Sequence, residues 1–195
     1  MNRYQPNSNQ AESTKDILLR RAESSFTAHG YSKTSINEIS KQEQLTKGAF
    51  YYYFKDKRAL FEQVVDKLLS DMQERITVAI ERIADPWERA LTALESYLEG
   101  CLQPSYRRIV LQEAPVVLGW AEWREKEKRS IMSLSTMLLQ DLMDAGRMKK
   151  QPIEILVYIL FGAITEAALG IADSDEQEVT RKQAKQIIER MLQSL

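Results

Sequence analysis

The chain has 195 residues, of which 44% are hydrophobic and 28% are charged, and its formal net charge is −1. That length and composition are typical of a soluble globular protein of one or two domains. A single cysteine and a single histidine exclude an intrachain disulfide and any zinc site built on Cys spacing. We therefore expect no metal site, no cofactor and no catalytic group.

The charge is unevenly distributed along the chain. Residues 1–65 hold ten Lys or Arg against seven Asp or Glu, a net charge of +3, whereas residues 66–195 carry −4. Positive charge at the amino-terminal end is typical of an attached DNA-binding domain. Only seven glycines and five prolines are present and no strand pattern is visible, so the sequence predicts an all-α fold of about nine helices.

A tail and three helices are predicted within the first sixty residues. Residues 1–12 are polar and are expected to be a disordered tail. A first helix is predicted from about Ser13 to His29, and Gly30 is placed to end it. A second helix starts at Thr34 or Ser35, and a turn at Gln42–Gln44 leads to a third helix from Leu45 to Phe50 or Tyr51.

The third helix has the composition of one that enters a DNA groove. Small residues let its backbone approach the bases, hydroxyls and a lysine can reach base edges, and nearby lysines and tyrosines can bind phosphates. Three successive tyrosines, Tyr51–Tyr53, cannot all face one core, so at least one hydroxyl should be exposed. Phe50 and Phe54 are expected to be core residues.

Six further helices follow in chain order. Their predicted bounds are from Asp56 or Lys57 for roughly 25 residues, Asp85 to about Pro104, Ser105–Leu118, Trp120–Ala145, Pro152–Ala172, and Asp175 to the end. Within the fourth of these, the charged run Arg124–Arg129 is interpreted as a solvated face. The apolar run Ile155–Ala172 contains Tyr, Thr and Glu and is read as a buried helix rather than a membrane span. With no signal-peptide pattern at residues 1–10, we expect a cytoplasmic protein that does not enter a membrane.

The segment from Ile17 to Phe61, about a quarter of the chain, resembles the TetR (tetracycline-repressor) family of bacterial regulators. The resemblance rests on the order and spacing of Ala22, Phe26 and Gly30-Tyr31, of Thr34-Ser35-Ile36, and of the run Gly48–Lys57 with Leu60. Two positions depart from the family pattern: Glu43-Gln44 replaces the usual Ala-Gly of the turn, and Tyr53 stands where His is common. The conformation of the turn and the contacts of Tyr53 are therefore open.

The resemblance implies three domains or segments and three sets of site residues. A tail (1–12), a helix-turn-helix DNA-binding domain (13–58) and a body for effector binding and dimerisation (59–195) are expected. The implied partner is double-stranded DNA with a palindromic operator sequence. The residues implied to contact this DNA are Thr34, Ser35, Thr46, Lys47, Gly48, Ala49, Tyr51, Tyr52, Tyr53 and Lys57. The residues implied to line a small-molecule effector pocket are Tyr97, Glu113, Trp120, Trp123, Met137, Tyr158, Phe161 and Glu166.

The last two helices are implied to pair with those of a second copy, which makes the protein a homodimer. Apolar residues surround most of the helix from Ile153 to Ala172, more than one buried face requires. The expected interface comprises Ile155, Ile159, Gly162, Ala163, Ala167, Ile187 and Met191. The function implied is a dimeric repressor released from its operator by an effector.

Two alternatives remain at the level of sequence. The first is a helical adaptor or binding protein without ligand control. The second is an enzyme that uses Glu113 and Glu166 as an acid–base pair, which requires the two carboxylates to converge.

Overall fold

A computed structural model describes the backbone of residues 8–41 and 47–195 and the side chains of residues 14–40 and 48–195. Within those residues every regular element is helical, in agreement with the predicted all-α class. The elements are α1 (Ser8–Lys33), α2 (Ile36–Lys41), α3 (Lys47–Tyr53), α4 (Lys57–Ile80), α5 (Pro86–Cys101), a π-helical segment (Tyr106–Glu113), α6 (Ala114–Val117), α7 (Trp120–Arg129), α8 (Ile131–Asp144), α9 (Ile153–Ala172) and α10 (Gln177–Ser194).

Helix α1 differs from its prediction at both ends. It begins at Ser8, so residues 8–12 of the expected tail are helical, while residues 1–7 lie outside the described part. Gly30 does interrupt the helix, with φ +79°, but a further helical turn follows as far as Lys33. The positive φ at Gly30 favours glycine because a Cβ atom would be strained there.

Helix α4 connects the amino-terminal helices to the body. Asp56 caps it, since one carboxylate oxygen accepts a 2.8 Å hydrogen bond from the Ala59 N–H. Its inner face is apolar from Leu60 to Ile80 and packs on α1 at one end and on α5 and α8 towards the other. One continuous core therefore runs from the amino-terminal helices into the body.

The segment predicted as a single helix from Ser105 to Leu118 is a π-helix that runs into the short helix α6. The N–H of Ala114 bonds to the carbonyl of Ile109, five residues back. Pro115 has no N–H and cannot continue an α-helical ladder from the preceding turn, which accounts for a change of hydrogen-bond pattern at this point.

The helix predicted from Trp120 to Ala145 is wrong as a single element, because it is divided at Ser130 into α7 and α8. Ser130 has φ −112° and ψ −101°. Its hydroxyl donates to the Leu69 carbonyl at 3.2 Å and lies 3.3 Å from the Gln73 side-chain oxygen, both on α4. A serine held by another helix can leave its own helical conformation, and neither Gly nor Pro marks the break in the sequence.

Candidate nucleic-acid interface and effector cavity

Helix α2 begins at Ile36, one residue after the predicted start at Thr34 or Ser35. Ser35 precedes it, and the Ser35 hydroxyl accepts a 3.2 Å hydrogen bond from the Asn37 N–H. The Ser35 carbonyl accepts the N–H groups of Glu38 and Ile39. Ser35 is half-buried. Its hydroxyl oxygen accepts the capping hydrogen bond, so the hydroxyl proton can still be donated to a phosphate oxygen.

Helix α3 is anchored on one side and exposed on the other. Phe50 and Phe54 are fully buried, as predicted, with ring centroids 5.6 Å apart. Tyr51 and Tyr52 are 57% and 71% exposed, and Tyr53 is half-buried with its ring 4.8 Å from that of Tyr52. Two tyrosine hydroxyls therefore reach solvent, and the helix is held in place from behind by phenylalanines.

The remaining predicted groove residues follow the same pattern where the structure describes them. Gly48 is exposed and Ala49 is half-buried, so the first turn of α3 presents little side-chain bulk. Lys47 is the first residue of α3, but its side chain lies outside the described residues. Thr46 and the turn Gln42–Gln44 also lie outside them.

Two predicted phosphate contacts require correction. Thr34 is 2% exposed, and its hydroxyl donates a 2.8 Å hydrogen bond to the Gly30 carbonyl. The Lys57 ammonium donates to the carbonyls of Tyr31 (2.8 Å) and Thr34 (3.0 Å) and lies 4.3 Å from the centre of the Tyr31 ring. Both side chains close the carboxyl end of α1, where carbonyls lack helical partners, so neither is a free surface donor.

Lys55 is an exposed cation close to α3 that was not among the predicted DNA-binding residues. It lies between α3 and α4, beside the amino terminus of α4. Backbone N–H groups and the helix dipole favour anions at such a terminus. The available signal was its position in the Phe54–Lys57 turn, directly before the Asp56 cap.

The carboxyl end of α1 also contacts the π-helical segment. The Glu113 carboxylate accepts a 2.8 Å hydrogen bond from the Tyr31 N–H and lies 3.5 Å from the Arg108 guanidinium. Arg108 donates to the carbonyls of Thr27 and Ala28. Glu113 was predicted to line the effector pocket, and that assignment is wrong: its charge is used at the junction between the amino-terminal helices and the body.

An apolar cavity of about 80 Å³ lies inside the body. Residues of α4, α5, α8, α9 and α10 line it, among them Leu94, Tyr97, Leu138 and Phe161. Tyr97 and Phe161 were predicted pocket residues, and their rings are 6.3 Å apart at this cavity. The remaining lining is almost entirely aliphatic, so the cavity suits an apolar group.

A buried polar cluster adjoins the cavity at Tyr97. Its central residue is Glu127, which is 0% exposed and whose two oxygens accept no hydrogen bond from the described residues. The hydroxyls of Tyr97, Tyr106 and Thr165 and the Trp123 indole N–H are buried there without a well-formed hydrogen bond among the described groups. Burial, and then the nearby Glu127 charge, raise the pKa of Tyr106, and burial also raises the pKa of the Cys101 thiol.

The five other predicted pocket residues separate into two groups. Trp120, Trp123 and Tyr158 lie together around the Arg124 side chain on the α7–α9 side of the body. Met137 is 49% exposed and Glu166 is exposed on α9, so both lie outside the cavity. The interpretation of Arg124–Arg129 as a solvated face holds for the exposed Glu125, Lys128 and Arg129 but is wrong for Glu127, which is buried, and for Arg124, which is half-buried beside aromatic rings.

Helices α9 and α10 expose an apolar face. Ile155, Ile159, Ile187 and Met191 are between 38% and 57% exposed, although each is a large apolar side chain. Gly162 is exposed, and Ala163 and Ala167 are half-buried on the same helix. Helix α9 is long and apolar enough to cross a membrane by composition, and only 39% of its most apolar stretch is buried within one chain. A short aliphatic surface of this kind is typical of a helix that packs on another protein surface.

This arrangement defines a class of protein. A small helical head presents a slim helix backed by a packed core, and a long helix joins it to a body with an internal cavity and an apolar outer face. That is the architecture of a helix-turn-helix transcriptional regulator with a separate sensing and assembly domain.

Comparison with known proteins identifies the family. The family model for bacterial regulatory proteins of the tetR family matches residues 18–64, and the model for the tetracyclin repressor-like C-terminal domain matches residues 87–195. The second match covers more than half of the chain. The protein belongs to the TetR family and is a DNA-binding transcriptional regulator rather than an enzyme.

Known proteins of this family are similar in sequence or in fold to this protein over most of its length. The transposon Tn10 TetC protein of Escherichia coli is 27% identical over 158 residues, which are 81% of this chain and 80% of TetC. A crystal structure of a TetR-family transcriptional regulator from Pectobacterium atrosepticum is 30% identical, with a TM-score of 0.80 and 97% of each chain covered. The structure of RolR in complex with the ligand resorcinol shares the fold at 17% identity, with a TM-score of 0.71 over 95% of this chain and 90% of that one.

Proposed function

We propose that this regulator is a homodimeric repressor that binds a palindromic operator through helix α3 of each chain and is released by a small-molecule effector. The observation that carries the proposal is the exposed side of α3, formed by Gly48, Tyr51 and Tyr52 and supported from behind by the buried Phe50 and Phe54. In this proposal residues 13–58 form the DNA-binding domain and residues 59–195 the effector-binding and dimerisation domain, with residues 1–12 as a tail.

Base recognition would come from the amino-terminal half of α3. Gly48 and Ala49 allow close approach to the base edges, and Thr46, Lys47 and Tyr53 complete the groove surface in this proposal. Ser35, Tyr51 and Tyr52 would bind phosphates, together with Lys55 and the amino terminus of α4. Thr34 and Lys57 support this surface from inside the domain.

Dimerisation follows from the length of the recognition helix and from the apolar face of α9 and α10. Seven residues of α3 can contact only a few base pairs, so two copies spaced by about one DNA turn, roughly 34–36 Å, are needed for a specific site. The exposed Ile155, Ile159 and Ile187 would be buried between the two copies. Small residues at Gly162, Ala163 and Ala167 would let the helices pack closely.

Effector control is supported by the cavity and the polar cluster inside the body. The ring of Tyr97, which lines the cavity, lies 6.4 Å from that of Tyr106, the first residue of the π-helical segment, and that segment ends at Glu113 on the carboxyl end of α1. A ligand that fits one arrangement of these helices better than another would shift the population of head positions and so change operator affinity. Acting on chromosomal operators, the protein would work in the cytoplasm.

A gel-shift assay with the DNA upstream of its own gene tests the proposal. Binding should fall steeply with salt, because phosphate contacts release counterions. Two chains should bind each duplex. Absence of a shift on any upstream fragment in dilute buffer would contradict operator binding, and a shift that no small molecule alters would support a regulator without ligand control.

A further inference from the structure

One face of α7 carries an unusual set of side chains: Trp123 and Glu127 are buried in the body, Arg124 is half-buried, and Trp120 is 60% exposed at the rim. Trp120, Trp123, Arg124 and Glu127 recur at positions i, i+3, i+4 and i+7, so all four lie along one side of the helix. Tyr158, Phe161 and Thr165 recur with similar spacing on α9. These two faces, with Tyr97 of α5 and Tyr106 of the π-helical segment, enclose the polar cluster.

Glu127 is the residue that most needs a partner. A carboxylate that is fully buried without hydrogen bonds is costly, and both Glu127 oxygens lack a partner among the described residues. Burial raises the pKa of this carboxyl to about 8, although the positive charge of Arg124 acts in the opposite direction. At neutral pH the Glu127 carboxyl is therefore mostly neutral.

The neighbouring rings are already arranged around a cation. The Arg124 guanidinium carbon lies 4.8 Å from the Trp120 ring centre and 5.3 Å from that of Trp123. It also lies 5.9 Å from the Tyr158 centre and 5.8 Å from the Phe161 centre. Aromatic faces attract cations at these distances. Arg124 is half-buried, so its long side chain can leave towards solvent.

We propose that the effector carries a protonated nitrogen head group on an aromatic or aliphatic body, with Glu127 as its counter-ion. The head would take the place of Arg124 among the rings, and the body would extend past Tyr97 and Phe161 into the apolar cavity. This inference rests on the proposed effector control and adds the chemical class of the ligand. An anionic head would meet the negative faces of four rings and would leave Glu127 without a partner.

Three probes with similar skeletons test the head group: 2-phenylethylamine (cationic), 2-phenylethanol (neutral) and 3-phenylpropanoate (anionic). Binding to the purified full-length protein is measured by calorimetry and by tryptophan fluorescence, since Trp120 and Trp123 line the site. We expect the amine to bind at least about tenfold more tightly than the alcohol, and the propanoate to bind most weakly. E127Q should reduce amine affinity to that of the alcohol without changing alcohol affinity. The matched control E125Q, on the exposed side of the same helix, should leave all three unchanged.

The pH profile provides a second readout. Amine affinity should rise from pH 6 to pH 8 as Glu127 ionises more readily, and alcohol affinity should stay constant. The other groups facing Glu127 are Arg124 on α7, Tyr97 and Cys101 on α5, and Tyr106. The pKa values of Tyr97, Cys101 and Tyr106 are raised by burial from ordinary values that already lie above this range, so these three groups do not titrate in it.

Equal affinities for amine and alcohol, a preference for the propanoate, full amine binding by E127Q, or failure of all three probes to bind would each overturn the inference. Operator binding is measured on the same samples by fluorescence anisotropy. If the protein binds the operator but does not prefer the amine, the proposed ligand class is wrong and the proposed DNA-binding function is retained. If the protein prefers the amine but binds no DNA, the cation-binding site is supported and the proposed repressor function is wrong.

Discussion

The Glu113 carboxylate accepts a 2.8 Å hydrogen bond from the backbone N–H of Tyr31, although 82 positions separate the two residues. Tyr31 lies in the last turn of α1, and the Lys57 ammonium holds the Tyr31 carbonyl from the other side. Tyr31 is therefore fixed at its N–H by the body and at its carbonyl by the first residue of α4. We infer that displacement of the π-helical segment would be transmitted to the DNA-binding helices at this residue.

Gly30→Ala should disturb this junction more than a matched glycine substitution elsewhere. A Cβ at Gly30 would lie 2.5 Å from a Glu113 carboxylate oxygen and 2.8 Å from the Arg108 guanidinium. Gly146 also has positive φ, but nothing lies within 4 Å of its Cβ position. Both variants should lose about 1 kcal/mol from backbone strain, and Gly30→Ala about 1 kcal/mol more from the displaced hydrogen bond. Urea unfolding at fixed protomer concentration measures the difference, and equal losses would contradict the role of the junction.

Lys55 and Lys57 should behave differently although only Asp56 separates them. Lys55→Ala should leave the unfolding free energy nearly unchanged and reduce the slope of log affinity for DNA against log salt by about 1, because one phosphate contact is lost. Lys57→Ala should instead destabilise the protein by about 1–2 kcal/mol, because two carbonyl groups lose a charged donor. Paired unfolding and salt-titration measurements on each variant distinguish the roles. A stable Lys57→Ala protein with a reduced slope would show that Lys57 binds phosphate after all.

Ile159→Asp should convert the protein into a monomer. Ile159 is 57% exposed on the apolar face of α9, and a carboxylate buried between two copies would be unpaired. Val78→Asp is the control, since Val78 is 67% exposed on α4 and outside that face. Sedimentation at micromolar concentration should show dimers for the parent and for Val78→Asp and monomers for Ile159→Asp. Dimers in all three samples would place the interface elsewhere.

The ligand-free protein should become less stable as pH rises from about 4.3 to 8, through Glu127. Its carboxyl has a pKa of about 8 in the folded chain and about 4.3 when unfolded, so the folded state holds the extra proton across that range. The stabilisation present in acid is then lost with a slope of up to about 1.4 kcal/mol per pH unit. E127Q should lack this slope, which unfolding curves at several pH values measure. An identical slope in E127Q would mean that Glu127 is not buried as a neutral acid.

The architecture could be predicted from sequence because helix patterns and caps are local. Asp85-Pro86 begins α5 as predicted, and the phenylalanines flanking the tyrosine run were correctly placed in the core, whereas Gly30 interrupts α1 without ending it. What failed depends on contacts between distant segments. Lys57 looks like a surface cation in the sequence, and only the approach of α1 gives it two carbonyls to bind.

Glu127 is a second residue whose role depends on contacts that local sequence composition does not reveal. It lies in a run of six charged residues, Arg124–Arg129, which by composition indicates a solvated face. Its position four residues after the buried Trp123 places it on the inner face of α7, and that spacing was the available signal. The break at Ser130 was not predictable, because it depends on a hydrogen bond to Leu69 on another helix.

In the proposed function, two copies of α3 are set in register by pairing of α9 and α10 and read a palindrome. Selection of binding sites from random DNA duplexes with the purified protein tests it most directly. We predict an enriched palindrome whose half-sites lie about one helical turn apart, bound by two chains and not enriched by the Ile159→Asp variant. Enrichment of a single unpaired half-site, equally well selected by that monomeric variant, would contradict the account.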